Sequence, residues 1–265
     1  MIVNFLILLV AALMTACSLK ALELLKRLSN SLNFQVFGEL VTHVDTNEKV
    51  VALTYDDGPN PPYTNQLLDL FERHQVKATF FVVGKIIEKH PETIKLILSK
   101  GHELGNHSYS HKSLIFETPW FIRSEIEKTD RLLRELGVKK EIHFRAPYGR
   151  KLLVLPYILA KMQKKNILWN LDSKDYEASN SEMIENYVLE QVRPGSIILM
   201  HDGGGERSRT VAATEMLIRK LQETGYTLKT VSELLRQRSD INNEEDAWSC
   251  NVSNQVAITS IPNRV

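Results

Sequence analysis

The chain has 265 residues, 43% of them hydrophobic, and its 33 basic and 32 acidic side chains leave a formal net charge of +1. That balance lacks the basic excess of a nucleic-acid binder and suits an ordinary globular core. A single α/β barrel uses about 250 residues, so one main domain is the simplest organisation.

The chain opens on Ile2-Val3-Asn4-Phe5-Leu6-Ile7-Leu8-Leu9-Val10, and no charge occurs from Ile2 to Ala16. Such a run reads as a signal peptide or membrane anchor over residues 1–19. It predicts an extracytoplasmic protein, either secreted or held at the membrane through this segment. Leu13-Met14-Thr15-Ala16-Cys17 resembles a lipoprotein processing site, so lipidation of Cys17 is one form the anchor could take. Two features depart from that pattern: no Lys or Arg precedes the apolar run, and Met14 stands where Leu is preferred. The second cysteine, Cys250, lies at the far end of the chain, so no disulfide framework is indicated. Residues 20–48 read as a spacer, with Ala21, Leu24, Leu25 and Leu28 forming the apolar stripe of a short helix.

From Val50 onward, short β-prone runs alternate with helix-period stretches, the pattern of βα units around a parallel sheet. Seven strands are predicted: Val50–Tyr55, Lys77–Val83, Glu103–Asn106, Ile142–Ala146, Ile167–Leu171, Ser196–His201 and Tyr226–Leu228. Pro91 opens a helix that Gly101 follows, while Gly137 and Gly225 close the helices Trp120–Leu136 and Thr210–Thr224. The fold class expected is α/β, a distorted and slightly incomplete (β/α) barrel of about seven parallel strands over residues 49–238. Residues 239–265 are polar and aperiodic and read as a disordered tail.

In such barrels the working residues gather at the C-terminal ends of the strands. Asp56 and Asp57 close the first predicted strand, His107 follows the third, and Arg145 lies at the end of the fourth. Asp172 follows the fifth, and His201 closes the sixth. His107 and His111, four apart, would share one side of a helical turn, and two imidazoles plus a carboxylate make a metal site with a position left open. The same pair would also suit a polar surface. Asp56-Asp57-Gly58-Pro59 is rich in turn formers, yet two adjacent carboxylates at a barrel mouth repel unless a cation relieves them. Arg145 is a permanent cation, fit for a structural ion pair or for tuning a carboxylate. His201, at the end of an apolar strand, is a rim residue or a proton donor near neutral pH. The other histidines, His43, His74, His90, His102 and His143, are expected at the surface or in packing.

This set resembles the polysaccharide deacetylase (NodB-homology) family, carbohydrate esterase family 4, over roughly Val50 to Leu235. Thr54-Tyr55-Asp56-Asp57-Gly58-Pro59 is similar to the family's first motif, with Tyr55 where Phe is commoner. His107-Ser108-Tyr109-Ser110-His111 matches the second and Arg145-Ala146-Pro147-Tyr148 the third. Trp169-Asn170-Leu171-Asp172-Ser173-Lys174-Asp175-Tyr176 resembles the fourth, with Tyr176 where Trp is usual, and Leu199-Met200-His201 the fifth. The resemblance implies Asp57, His107 and His111 as metal ligands, Asp56 as general base and His201 as general acid. It further implies that Arg145 orients and tunes Asp56, and that Asp175, or else Asp172, supports the acid–base pair. Pro147, Tyr148, Tyr176 and Leu199 would contact substrate, with a backbone N–H near Tyr148 helping to stabilise the oxyanion. The implied cofactor is a divalent metal, zinc first and cobalt or nickel as alternatives. The implied reaction removes N-acetyl groups from peptidoglycan or a chitin-like amino-sugar polymer. O-deacetylation of acetylated xylan or another glycan is the alternative, and an inactive surface glycan-binding module the third. Neither a nucleic-acid nor a protein partner is expected.

Overall fold

The protein, seen in a computed structural model, is described over residues 2–237, with the backbone alone for residues 2–13. The expected tail, 239–265, lies outside the described residues. α1 (Ile2–Asn30) is one continuous helix of 29 residues rather than a leader followed by a separate short helix. The expected stripe of Leu24, Leu25 and Leu28 is real in period but is exposed. Among the described residues, no helix is long and apolar enough to cross a membrane.

Eight strands follow among the described residues: β1 (Leu40–Val41), β2 (Val50–Asp56), β3 (Thr79–Val82), β4 (Glu103–Asn106), β5 (Asn166–Ile167), β6 (Leu171–Asp172), β7 (Ile197–His201) and β8 (Thr227–Leu228). All their pairings are parallel, in the order β4-β3-β2-β7-β6, with β8 also on β2 and β1 on β5. Phe144 bridges Asn106 on one side and Asn166 on the other, which carries the sheet round towards closure. The expected distorted barrel is the architecture observed. Helices α2 (Tyr63–Arg73), α3 (Gly84–Ile87), α4 (Pro91–Ser99), α5 (Pro119–Glu135), α6 (Val154–Lys161), α7 (Ser181–Gln191) and α8 (Ser208–Glu223) connect the strands.

β2 shows why the sheet is covered on both sides. All seven of its residues are buried, as a parallel strand between two layers requires. Val51, Leu53 and Tyr55 pack with Leu67, Phe71, Leu217 and Ile218 of α2 and α8 in one cluster. Val50 and Ala52 pack instead with Phe81, Phe144, Ile167, Ile197 and Leu199 in a second cluster, the barrel interior. The two-residue period of a strand puts Thr54 and Asp56 on that interior side. Tyr55 keeps its hydroxyl, where the family resemblance led to Phe, because Thr214 Oγ1 lies 2.8 Å away to accept it.

Three expectations change. The spacer is partly built into the domain: β1 pairs with β5, and Val41 and Val44 are buried. The predicted strand at 142–146 supplies only the bridging residue Phe144; Pro147 has no N–H with which to extend a ladder. The predicted strand at 167–171 splits into β5 and β6. The carbonyls of Ile167 and Leu168 are diverted to the Arg145 side chain, and Asn170 Oδ1 takes the Ile197 N–H.

Candidate active site and metal centre

Because the strands run parallel, their C-terminal ends deliver Asp56, Asp172 and His201, and the loop after β4, to one rim. A cleft of about 410 Å³ opens there, lined by Asp56, Asp57, His107, His111, Tyr148, Trp169, Asp172, Tyr176, Leu199, His201 and Arg207. A wider hollow of about 980 Å³ opens at the other end of the strands, beside Glu39, His143, Lys165 and Arg236. The described residues hold one cluster of metal-ligating side chains, and it lies in the first cleft.

That cluster is Asp57, His107 and His111, whose ligand atoms lie within 4.8 Å of one another. Asp57 Oδ1 is 3.0 Å from His111 Nε2 and 3.6 Å from His107 Nε2. Two ligand atoms on a tetrahedral zinc stand about 3.4 Å apart, from metal bonds near 2.1 Å. Asp57 Oδ1 is buried and makes no hydrogen bond of acceptable geometry, so its lone pairs face the gap between the imidazoles. His107 Nδ1 donates to the Arg145 carbonyl at 2.9 Å. That bond fixes the tautomer and turns the Nε2 lone pair to the same point. Burial lowers the His107 pKa, against the pull of Asp56, and favours the neutral ring a metal needs. Burial alone would raise the Asp57 pKa, but His111 and then His107 outweigh it and hold the carboxyl ionised. The residues fit a divalent cation.

The two histidines do not share a helical turn, contrary to the spacing argument. They sit on an irregular loop in which Ser108 and His111 have φ of 64° and 57°. Side chains replace the helical hydrogen bonds: Asn106 Oδ1 accepts the Ser108 N–H, and Ser108 Oγ accepts the His111 N–H. Glu125 of α5 then takes both the N–H and the hydroxyl of Ser110.

Asp56 is held from the barrel interior. Arg145 is fully buried and its Nη1 donates to Asp56 Oδ1 at 2.7 Å and to Thr54 Oγ1 at 2.8 Å. Its Nε and Nη2 donate to the Ile167 and Leu168 carbonyls, and its guanidinium lies 4.0 Å from the Phe81 ring centre. With Oδ1 occupied, Oδ2 is the freer oxygen, 3.5 Å from His107 Nε2.

Across the cleft, His201 Nδ1 lies 2.7 Å from Asp175 Oδ1, and Asp175 Oδ2 accepts from the His201 N–H and Thr210 Oγ1. Asp172 is engaged elsewhere, by Tyr176 and Lys174 at 3.1 Å each, so Asp175 is the carboxylate that meets His201. Burial pulls the His201 pKa down, but Asp175 reverses this and leaves it raised. Burial would raise Asp175, yet the His201 contact leaves it lowered. Tyr176 stands edge-on to His201 with ring centres 5.5 Å apart, and Tyr148 lies 4.8 Å from His111. Leu199 and Trp169 supply apolar wall. Pro147 is buried in the turn that carries Tyr148 and is not among the residues that line the cleft.

Residues 43–167 match the polysaccharide deacetylase family model. A peptidoglycan-N-acetylglucosamine deacetylase of Bacillus cereus is 36% identical over 203 residues, spanning 76% of this chain and 95% of that protein. The chain belongs to the polysaccharide deacetylase family. The peptidoglycan-N-acetylmuramic acid deacetylase PdaC of Bacillus subtilis, another relative, is 38% identical over 72% of this chain and 40% of its own length. A crystal structure of a peptidoglycan N-acetylglucosamine deacetylase superposes with a TM-score of 0.71 at 33% identity, covering 73% of this chain and 91% of the other.

Within this polysaccharide deacetylase, sequence reasoning missed the residues that hold the site from behind. Asn106 and Glu125 brace the histidine loop. Asp202, fully buried, accepts from Thr64 Oγ1 at 2.5 Å; burial pushes its pKa up to about 7, which Thr64 opposes and Asp57 reinforces. A side chain at Gly58 would overlap the Asp202 carboxylate. The signal for Asp202 was a carboxylate directly after an apolar strand's histidine. Glu125 gave none, since one acid in an amphipathic helix looks like any other.

Proposed function

We propose that this protein removes N-acetyl groups from an amino-sugar polymer of the cell wall, releasing acetate, with a divalent cation held by Asp57, His107 and His111. One observation carries the reading. Three ligand atoms converge on a single point between a carboxylate pinned by Arg145 and an imidazole pinned by Asp175. The two relatives described above, both deacetylases of peptidoglycan, support the same substrate class. Two imidazoles and one carboxylate suit zinc before cobalt or nickel.

The cation, when bound, supplies Lewis acidity towards the amide oxygen and makes water more acidic. The chain's own groups do the rest. Asp56, fixed through Oδ1, presents Oδ2 to take a proton from the attacking water as its oxygen adds to the acetyl carbon. A backbone N–H near Tyr148 would share the developing negative charge. His201 gives the proton on Nε2 to the sugar nitrogen as the carbon–nitrogen bond breaks, so the amine leaves neutral. Asp175 holds the imidazole by its other nitrogen and stabilises its protonated form. Leu199 and Trp169 form an apolar wall for the acetyl methyl, and Tyr148 and Tyr176 flank the sugar. Such a substrate lies outside the cytoplasm, which accords with an uncharged N-terminal run acting as export signal or membrane attachment.

Acetate release and mass loss per acetyl group, measured on wall glycan fragments, chitooligosaccharides and acetyl-xylan, test the reading. Release from the N-acetylated glycans is expected. Release from acetyl-xylan with none from either N-acetylated series would assign the site to ester hydrolysis instead.

A further inference from the structure

Charge accounting around the cleft leaves one cation over. Asp56 is bound by Arg145, Asp57 faces two imidazoles, and Asp172 is bound by Lys174 and Tyr176. Each carboxylate on the wall therefore has its partner. Arg207 lines the same cleft and pairs with no carboxylate among the described residues. Its only bonds there are to its own loop: Nε donates to the Gly203 carbonyl at 2.6 Å and Nη2 to the Gly204 carbonyl at 3.4 Å. Nη1 has no acceptor among the described residues. The neighbouring Glu206 forms no ion pair with it among the described residues; its Oε1 accepts the Ser208 N–H at 2.7 Å.

The loop under Arg207 is fixed to the metal-holding turn. Gly203 packs so closely that a side chain there would overlap the Asp57 carbonyl, and its N–H donates to the Asp56 carbonyl. Asn60 Nδ2 donates to the Gly205 carbonyl at 2.8 Å, and Asp202, in the same loop, accepts from Thr64. Gly204, at φ +75°, keeps the passage clear: a Cβ there would sit 3.1 Å from Arg207 Nη2 and 3.4 Å from Asp57 Oδ2. The guanidinium is thus positioned beside the reacting centre before any ligand arrives, which cuts the ordering cost of binding. A planar guanidinium with one face of donors free matches a carboxylate.

We propose that Arg207 is a specificity residue that binds a carboxylate carried by the glycan, on or next to the sugar being deacetylated. The enzyme would then prefer an acidic amino-sugar polymer to a neutral one. The inference rests on the N-deacetylase reading. A lactyl ether on the sugar and a peptide stem attached through it are the two sources of such a carboxylate.

The test compares N-acetylated oligosaccharides of equal length in three forms: free lactyl carboxylates, the same groups as methyl esters, and peptide-bearing chains. The wild-type protein, Arg207→Ala and Arg207→Lys are each loaded with zinc and checked for metal content. A charge-assisted hydrogen bond predicts a wild-type kcat/KM ratio of acid to ester of about tenfold or more, weakened by salt. Arg207→Ala should bring that ratio close to one, and Arg207→Lys should leave it in between. An Arg207 effect confined to the peptide-bearing series would place the carboxylate on the stem and keep the proposal. A wild-type ratio near one with no preference for the peptide-bearing chains, or equal losses on all three forms in Arg207→Ala, would overturn it. No acetate from any of the three would sink the deacetylase reading instead, so the two failures are distinct.

Discussion

His201 and Asp175 share two contacts, one to the ring and one to the backbone N–H, and their opposite pKa shifts set a pH window. Asp175 is lowered, so its share of stability is complete above about 3.9 and is lost as pH falls through its depressed folded value. His201 is raised, so its share is complete below about 6.5 and is lost as pH rises through its elevated folded value. In the proposed role of proton donor, His201 should therefore give kcat an alkaline limb above its ordinary range. Asp175→Asn should move that limb to lower pH; an unmoved limb in the pH–rate profile would detach Asp175 from the acid. His201→Ala is expected to keep its metal by elemental analysis while kcat falls by about 10²–10⁴. These residues were legible individually, since each ends or follows an apolar strand. Which of Asp172 and Asp175 met His201 was not, because a three-residue offset beyond a strand end is decided by loop conformation.

The histidine loop after β4 shows what pattern reading misses at the scale of an element. A spacing of four is shared by a helical turn and by this loop, and the choice falls to Asn106, Ser108 and Ser110. Side chains of this type compete with the backbone for hydrogen bonds, and here they win because α5 supplies acceptors at Ile126, Asp130 and Glu125. Asn106→Ala would leave the Ser108 N–H and the Ile126 carbonyl without this partner. We expect a loss of about 1–3 kcal/mol in denaturant unfolding and about 10–100-fold weaker metal binding by titration. Full metal affinity in that variant would show that the loop holds its shape without the bracing. At the same scale, the strands at 142–146 and 167–171 were over-read. Their β-prone residues are present, but Arg145 uses two of the carbonyls that a ladder would have used.

For the whole molecule, the three proposed ligands come from two separate loops, so a bound cation would cross-link β2 and β4. Its removal by a chelator should abolish acetate release and lower the melting temperature, with zinc restoring both. A ligand at about 1,000 times its dissociation constant contributes about 4 kcal/mol, enough to read in a thermal scan. Asp57→Asn should show no zinc-dependent shift, and an equal shift in that variant would remove Asp57 from the ligand set. The sequence by itself determined the alternation of strand and helix, the parallel barrel, and the identity of the polar residues at the strand ends. Local periodicity and five ordered motifs are properties of short segments, and short segments encode them fully. Only the tertiary structure decided which oxygen of Asp56 stays free, that residues 40–44 close part of the barrel, and that Arg207 has no carboxylate partner among the described residues beside the turn of Asp57. Those outcomes depend on which groups from distant segments meet in space, and burial there makes every polar atom find a partner or wait for one.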